Sequence, residues 1–269
     1  VNFIIRGDDH LNNYFRQKFI YKYMNWQIPK YAHIPLIHGE DGTKLSKRHG
    51  AVNLIDLKNQ GYLPEAIINN LILLGWSPKN QNEEIIKLQN IISSFEINNL
   101  SKSASIFSYK KLDHFNNYYL RLESNLYLFE EFCKSNSVLS KLLNEDKEKL
   151  LRIFNVYKKD ISRYNQIIDI AEIYFSNNFS NNLKENFDND FNKYYDEFLE
   201  LIYNINNWKY DNINSLIKEF VKKNNIKFPV LGKPIRFLLT NNYNGPSITD
   251  IFVILGKNQS LERLKRYKI

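Results

Sequence analysis

The stretch Asn2-Phe3-Ile4-Ile5-Arg6-Gly7-Asp8-Asp9-His10 decides the first part of the fold. Its apolar run, residues 2–6, predicts a short buried strand, and the glycine and two aspartates that follow end that strand. Residues 11–24 then place large side chains at helical spacing and predict a helix. A strand followed directly by a helix is typical of an α/β layer.

A second apolar segment, residues 33–37, follows this helix and leads into the polar turn 39–43. Strand, helix, strand and polar loop together predict the end of an α/β layer. The earlier strands of such a layer have no counterpart in the sequence, which begins with Val1 rather than Met. We therefore expect the true start of the protein to lie upstream.

The rest of the sequence predicts helices, separated by loops rich in Asn, Ser and Asp. Pro64 occupies a position typical of the first turn of a helix, and Gly75 is the predicted C-cap of the same helix. Periodic apolar residues predict further helices over 127–132, 146–156, 167–175, 191–205, 213–224, 232–239 and 249–255. The predicted fold class is mainly α, with a small α/β part at the start.

Composition limits the class of protein. The 269 residues are 43% hydrophobic and 25% charged, which suffices for a buried core in two domains and argues against general disorder. No apolar run approaches the ~20 residues that cross a bilayer, and we expect neither a signal peptide nor a membrane partner. The single cysteine, Cys133, excludes internal disulfides and a cysteine-based zinc site, and it favours a reducing, cytoplasmic setting.

The net charge of +8 is concentrated at the two ends of the chain. Residues 1–50 hold eight Lys/Arg and four Asp/Glu (+4), and residues 220–269 hold ten and two (+8). Residues 51–120 are balanced, with six of each, and residues 121–219 hold 13 and 17 (−4). Two separated basic surfaces suit a long polyanion that is contacted at two places, although a solvated, lysine-rich surface explains the charge alone equally well.

The pentapeptide Lys44-Leu45-Ser46-Lys47-Arg48 is the candidate chemical motif. Its two lysines stand three residues apart on a predicted loop, so both ammonium groups can approach a triphosphate from one side. When a carboxylate attacks the α-phosphate of ATP, negative charge grows on the leaving pyrophosphate, and a nearby lysine stabilises that charge. An exposed basic loop without chemistry is the alternative, because five residues in a lysine-rich chain are a moderately specific match.

The pentapeptide resembles the KMSKS motif of class I aminoacyl-tRNA synthetases, in the form common in bacterial-type glutamyl-tRNA synthetases. Further segments resemble that family in the same order and spacing. They are Ile5-Arg6-Gly7-Asp8-Asp9-His10, Phe15-Arg16-Gln17, Ala32-His33-Ile34-Pro35-Leu36, Gly61-Tyr62-Leu63-Pro64-Glu65-Ala66, Leu71-Ile72-Leu73-Leu74-Gly75-Trp76-Ser77, Gly232-Lys233-Pro234-Ile235-Arg236 and Leu255-Gly256-Lys257. The resemblance runs along the whole chain, is weakest over 125–225, and lacks the family's HIGH motif.

The resemblance implies a remnant of a Rossmann-type catalytic domain over residues 1–50, a helical stem-contact domain over 51–121 and an α-helical anticodon-binding domain over 122–269. It implies attachment of L-glutamate to tRNA(Glu) through a glutamyl-adenylate, with ATP and Mg²⁺ and without a zinc site, by a cytoplasmic monomer. Because the half with the HIGH motif is absent, we expect the chain alone to be inactive. A non-catalytic tRNA-binding module derived from a synthetase is the alternative function.

The resemblance also implies roles for individual residues in the reaction. Lys44 and Lys47 are expected to be catalytic, and ATP is expected to contact Lys44, Leu45, Ser46, Lys47 and Arg48. Arg6 is expected to hold glutamate, since a guanidinium can bind a carboxylate through two hydrogen bonds; a surface ion pair with Asp8 or Asp9 is the alternative. The region of the adenylate and the tRNA 3′-end is expected at Asp8, Asp9 and His10.

Three residues are the candidates for contact with the anticodon. Arg236 matches the family's Pro-Leu-Arg segment and is expected to contact an anticodon base, with a structural salt bridge as the alternative. Lys159 and Arg163, together with Lys158, form a basic cluster near a predicted helix end. The competing interpretation of that cluster is a solvated face.

Overall fold

The computed structural model describes residues 1–45, 53–78, 84–122, 126–176, 187 and 189–267. Within this part of the chain there are thirteen α-helices and four short β-strands, so the mainly helical prediction is confirmed. The chain divides into two compact units. The first comprises Val1–Asn125 and Ser162–Asn165, and the second comprises Leu126–Ile161 and Gln166–Ile269.

The first unit begins with the predicted strand and helix. Its first elements are β1 (Phe3–Gly7), a 3-10 turn (Asp8–His10), α1 (Leu11–Tyr23) and β2 (Lys30–Ile34). β1 and β2 pair in parallel, in a register that sets Arg6 opposite His33. The second apolar segment was predicted over 33–37, whereas the strand lies at Lys30–Ile34. The strand ends before Pro35, because proline has no N–H for a sheet hydrogen bond.

A tight hairpin follows β2. In β3 (Ile37–His38), His38 pairs with Lys44 through an antiparallel bridge. The backbone N–H of the next residue, Leu45, donates to the carbonyl of Ile37 at 3.0 Å. Gly42 lies at φ +76°, in the left-handed region that favours glycine, and so lets the turn close. β3 also pairs in parallel with β4 (Ser105–Ile106), which anchors the hairpin to a later part of the first unit.

The remaining elements of the first unit are helical. They are α2 (Leu54–Gln60), α3 (Pro64–Gly75), α4 (Leu88–Ser94), a 3-10 turn (Ile97–Asn99) and α5 (Tyr109–Leu120). The early position of Pro64 in α3 is confirmed. The predicted helix end at Gly75 is confirmed, but the C-cap is the next residue, Trp76, where the chain turns extended. The buried ring of Trp76 packs with Ile86 and Ile91, and this packing fixes the end of the helix.

A buried asparagine joins two distant segments of the first unit. The side chain of Asn116 on α5 accepts a hydrogen bond from the backbone N–H of Leu63 at 2.7 Å. Its amide group donates to the carbonyl of Ser162 at 2.5 Å. Gly61 lies at φ +88°, and a side chain there would collide with the backbone of Tyr164. These contacts bring the short segment 162–165 into the first unit.

The second unit is a bundle of helices. Its helices are α6 (Leu126–Ser135), α7 (Ser137–Glu145), α8 (Lys147–Tyr157), α9 (Ile167–Phe175), α10 (Asn189–Tyr203), α11 (Tyr210–Lys223), α12 (Phe228–Thr240) and α13 (Ile248–Lys265). Seven of these helices were predicted, and α7 was missed. The ends of the first six differ by up to four residues. The seventh, predicted over 249–255, matches the part of α13 before Gly256, where a non-helical backbone (φ +73°) interrupts the helix. None of the helices that the structure describes is long and apolar enough to span a membrane.

Candidate active site and nucleic-acid interface

The C-terminal end of β1 lies close to Lys44, the first residue of the lysine motif. The ammonium Nζ of Lys44 is 2.8 Å from the carboxylate Oδ2 of Asp9, although the two residues are 35 positions apart. The hydrogen bond from Lys44 is the main reason that the pKa of Asp9 is lowered below its ordinary value. Their side chains are 52% and 37% exposed, so a ligand in solvent can reach both charges.

Two features of the backbone hold this ion pair in place. The hairpin fixes Lys44, because the bridge to His38 and the hydrogen bond of the next residue to Ile37 set its position. Gly7 makes room for the carboxylate, since a Cβ at this position would lie 2.6 Å from Oδ1 of Asp9. The sequence therefore determines the contact through a glycine and a hairpin rather than through proximity along the chain.

Arg6 is oriented by neutral groups. Its Nη1 donates to Oε1 of Gln17 at 2.9 Å, its Nε donates to Nε2 of His33 at 3.3 Å, and its guanidinium lies 5.2 Å from the ring centroid of Tyr31. The alternative ion pair of Arg6 with an aspartate is not formed within the described residues, where Asp9 pairs with lysine instead. Arg6 Nη2 is buried and has no hydrogen-bond partner among the described residues, so a ligand carboxylate would satisfy it.

The other residues of the strand end are exposed. His10 Nε2 lies 4.0 Å from Oδ1 of Asp9, and its Nδ1 lies 3.2 Å from the amide nitrogen of Asn13. Asp8 is exposed on the same 3-10 turn. The structure thus brings Asp9, His10 and Lys44 together, with Arg6 on the adjoining strand.

Only part of the pentapeptide lies in the described structure. Leu45 is half-buried and closes the hairpin, whereas Ser46, Lys47 and Arg48 lie outside the described residues. Among the described residues there is no group of three or more His, Cys, Asp or Glu that could hold a metal ion. Cys133 is fully buried in α6, and this burial raises the pKa of its thiol to about 12.

Arg236 organises the connection between α12 and α13. Its Nε donates to the carbonyl of Pro246 and its Nη1 to the carbonyl of Tyr243, both at 3.0 Å. Partial burial lowers the pKa of the guanidinium below its ordinary value. The ring of Tyr243 stacks on Phe237 at 4.6 Å and stays 36% exposed. The alternative role in a salt bridge is not seen among the described residues, where Arg236 makes hydrogen bonds to the backbone beside an accessible aromatic ring; its contact with an anticodon base stays a prediction.

The residues grouped with Arg236 lie in different units. Lys159 is exposed just beyond α8 in the second unit. Arg163 belongs to the first unit, where its Nη1 donates to Oε1 of Gln60 at 3.4 Å and its Nε lies 3.5 Å from Oδ1 of Asp113. Its guanidinium also lies 5.6 Å from the ring centroid of Tyr62. Lys159 and Arg163 thus belong to different units, and their grouping as one basic cluster stays a prediction.

A groove in the second unit combines basic and apolar groups. It has a volume of about 380 Å³ and lies between α11 and the start of α13. Lys218 and Lys222 line it together with Phe228, whose side chain is 44% exposed. Lysines beside an exposed aromatic ring are the combination that contacts phosphates and unpaired bases.

Sequence reasoning gave no role to three residues that position Arg6. Gln17 and His33 occur in the segments that resemble the synthetases, but only the fold brings them to the guanidinium, from 11 and 27 positions away. The third residue, Tyr31, places its aromatic ring beside the guanidinium of Arg6. The available signal was the register of two parallel strands, which sets His33 beside Arg6.

Two family models match the chain and define its class. Residues 1–114 match "tRNA synthetases class I (E and Q), catalytic domain", and residues 124–268 match "Anticodon binding domain". The chain is thus a class I aminoacyl-tRNA synthetase polypeptide with a helical anticodon-binding part. The first match crosses the boundary that we predicted at residue 50, and the three-domain division stays a prediction.

Relatives identify the branch of the class. The chain is 34% identical over 277 residues to Glutamate--tRNA ligase 1 of Bartonella bacilliformis, a match that covers 99% of the chain and 58% of the relative. It is 36% identical over 264 residues to Glutamate--tRNA ligase 2 of Wolbachia pipientis subsp. Culex pipiens, covering 97% and 57%. The crystal structure of a glutamate tRNA ligase from Elizabethkingia meningosepticum, in complex with its amino acid, matches with a TM-score of 0.79 at 27% identity and covers 99% and 56%.

The chain belongs to the glutamyl-tRNA synthetase family and corresponds to the C-terminal portion of its members. It spans 57–58% of the length of the two curated relatives that it matches here.

Proposed function

We propose that this chain supplies the lysine loop and the tRNA-reading helices of an enzyme that attaches L-glutamate to tRNA(Glu). The observation that carries the proposal is the 2.8 Å contact between Lys44 and Asp9, which joins the lysine motif to the strand end beside Arg6. The substrates are L-glutamate, ATP as its magnesium complex, and tRNA(Glu). The buried free thiol of Cys133 suits a reducing cytoplasm, and we propose a monomer working there.

Arg6 is the residue that holds the glutamate. Its guanidinium is fixed by Gln17 and His33 before the ligand arrives, so little side-chain freedom is lost on binding. A carboxylate can then accept hydrogen bonds from the guanidinium edge that carries the unpartnered Nη2. Asp8, Asp9 and His10 border the adenylate and the tRNA 3′-end on the adjoining turn.

The lysine motif acts on the leaving group. A carboxylate oxygen of glutamate forms a bond to the α-phosphorus of ATP, and the bond from that phosphorus to the oxygen leading to the β-phosphate breaks. This step transfers no proton, so no protein base is needed. Pyrophosphate leaves with the bonding electrons, and the ammonium groups of Lys44 and Lys47, with Leu45, Ser46 and Arg48 around the nucleotide, stabilise its charge.

The helical part of the chain recognises the nucleic acid. We place the end of the catalytic domain at residues 1–50, the stem contact at 51–121 and the anticodon contact at 122–269. Arg236 and the exposed ring of Tyr243 offer hydrogen bonds and stacking to an unpaired base. Lys159 and Arg163 are proposed to add charge toward the tRNA.

The test is a Lys47→Ala substitution in a ligase that joins this chain to the N-terminal portion of the Wolbachia pipientis relative. We expect glutamylation turnover to fall by about 100-fold, because stabilisation of the leaving group is lost, with little change in affinity for tRNA(Glu). Lys102→Ala, which removes an exposed lysine from a loop, is the matched control. Unchanged turnover would remove Lys47 from the chemistry. A ligase that binds tRNA(Glu) but never forms glutamyl-adenylate would favour the non-catalytic module.

A further inference from the structure

The hairpin that carries Lys44 is closed by hydrogen bonds of its own. The backbone N–H of Gly39 donates to the carbonyl of Thr43 at 2.9 Å. Asp41 secures the turn, because its Oδ1 accepts hydrogen bonds from the backbone N–H and from the hydroxyl of Thr43, at 2.9 and 2.8 Å. Residues 37–45 therefore form one stiff element, and the position of that element sets the position of Lys44.

A later segment of the first unit holds this hairpin at two points. The first is the pairing of β3 with β4, which is extended by the N–H of Phe107 donating to the carbonyl of His38 at 2.8 Å. The second lies at the turn, where the hydroxyl of Ser108 donates to Oε1 of Glu40 at 2.7 Å, across 68 positions of the chain. The short pairing alone would leave the hairpin free to tilt, whereas a second attachment at its turn removes that freedom.

Ser108 makes this contact in place of a helix cap. It is the N-cap residue of α5 and has an extended backbone, with φ −121° and ψ 124°. A serine at such a position ordinarily accepts a hydrogen bond from an N–H in the first turn of its helix. Within the described residues its side chain makes no such bond to α5 and donates to the hairpin instead. A residue that departs from the local rule in favour of a distant partner is typical of a functional position.

We propose that Ser108 and Glu40 are positioning residues, which hold the hairpin so that Lys44 lies where the charge of the leaving pyrophosphate grows. Lys44 pairs with His38 on the strand of the hairpin that returns from the turn. From there its Nζ reaches the carboxylate of Asp9 at the end of β1. Ser108 and Glu40 act through Lys44 and not on ATP. Their effect on the reaction rests on the proposed function, whereas their effect on the placement of Lys44 does not.

The hydrogen bond between Ser108 and Glu40 suits positioning better than stabilisation. It is exposed, and exposed polar contacts contribute little to the free energy of unfolding. A lysine that stabilises a leaving group has to be in place before the charge appears, since a preorganised charge needs no rearrangement as the reaction proceeds. A displacement of about 1 Å in such a group can lower a rate by about 100-fold. Loss of the contact is therefore expected to alter the reaction far more than the fold.

The first experiment uses the 269-residue chain alone and follows the Asp9 carboxyl by carbon-13 NMR, because its pKa is lowered chiefly by the hydrogen bond from Lys44. Ser108→Ala should raise the titration midpoint part of the way to that of Lys44→Met, since the hairpin loses one of its two attachments. Ser108→Thr, which keeps the hydroxyl, should leave the midpoint unchanged. Ser103→Ala removes an exposed hydroxyl from the loop before β4 and is the matched control. An unchanged midpoint for Ser108→Ala, or equal shifts for alanine and threonine, would overturn the inference.

The second experiment measures glutamylation by the ligase that joins this chain to the N-terminal portion of the Wolbachia pipientis relative. Ser108→Ala and Glu40→Ala should each lower turnover by about 10-fold with little change in KM for ATP, whereas Glu40→Gln, which keeps an acceptor oxygen, should retain most of the activity. In a Lys44→Ala ligase, Ser108→Ala should lower turnover by less than about twofold, since it acts through that lysine. Full additivity of these two substitutions would overturn the inference. An inactive unsubstituted ligase would count against the proposed function, and the Asp9 midpoint would still decide how Lys44 is held.

Discussion

The ion pair between Asp9 and Lys44 matters because it positions the lysine, and it contributes little to the free energy of unfolding. Ion pairs between exposed side chains contribute little to the free energy of unfolding, and this pair is exposed on both sides. Its effect is to hold the first lysine of the motif at the end of β1, beside the residues expected around the adenylate. A positioned charge of this kind needs less reorganisation when pyrophosphate leaves.

The carboxyl group of Asp9 should titrate below its ordinary value. Its folded-state pKa is lowered, so the ion pair is complete at neutral pH and is lost as pH falls through that lowered pKa. Carbon-13 NMR of the side-chain carboxyl should show a midpoint below 3.8, and Lys44→Met should move the midpoint upward. Lys58→Met, on an exposed lysine of α2, should leave it in place. A midpoint that Lys44→Met does not change would contradict the ion pair in solution.

At the scale of residues, the sequence predicted which groups matter better than it predicted their neighbours. Arg6 and Lys44 were both chosen from motifs, but the partner of each is set by tertiary structure. The contact from Lys44 to Asp9 depends on the hairpin, and the contact from Arg6 to His33 depends on strand register. Neither could be read from spacing alone, because the separations are 35 and 27 positions.

At the scale of elements, the connection between α12 and α13 carries the proposed anticodon contact. Arg236 secures this connection through two backbone carbonyls, and the stacked ring of Tyr243 lies on it. One guanidinium can thus order the loop and face the nucleic acid with its remaining N–H groups. The two functions are coupled, because a disordered loop would not present the ring.

Arg236→Ala should lower the affinity of the chain for tRNA(Glu) by about 10- to 100-fold, since a base contact and loop order are lost together. Fluorescence anisotropy with labelled transcript at fixed salt measures the change. Arg152→Ala, on an exposed arginine of α8 in the same unit, is the control and should have a smaller effect. Equal losses for the two variants would show that Arg236 acts through charge alone.

The missed helix α7 shows where element prediction failed. Val138, Leu139, Leu142 and Leu143 have helical spacing, so the signal was present. Single residues separate α7 from its neighbours, Asn136 before it and Asp146 after it, where loops were expected. A single residue can connect two helices here because its side chain caps the second helix. Asn136 and Asp146 each accept hydrogen bonding from backbone N–H groups in the first turn of the helix that follows.

Asn136→Ala should reduce the free energy of unfolding by about 1 kcal/mol, because two N–H groups of α7 lose their acceptor. Urea unfolding followed by circular dichroism measures the change. Asn144→Ala alters an exposed asparagine within α7 and should leave the midpoint unchanged or slightly raised. A midpoint for Asn136→Ala equal to that of the unsubstituted chain would show that the cap contributes nothing.

At the scale of the whole molecule, the sequence predicted the fold class and the family through matches along its full length. It predicted the helical second unit well, because amphipathic periodicity is local and survives in a single sequence. The short segment Ser162–Asn165 escaped it, since this segment joins the first unit through Asn116 and Gly61 rather than through any local pattern.

The most direct test of the central claim is glutamylation of tRNA(Glu) by this chain, with and without the N-terminal portion of the Wolbachia pipientis relative. Formation of glutamyl-tRNA from labelled glutamate and ATP is measured in both cases, at equal concentrations of the chain. We predict product only when both polypeptides are present, and loss of that product with Lys44→Ala and Lys47→Ala together. Glutamyl-tRNA made by the chain alone, or a combined activity indifferent to both lysines, would contradict the account.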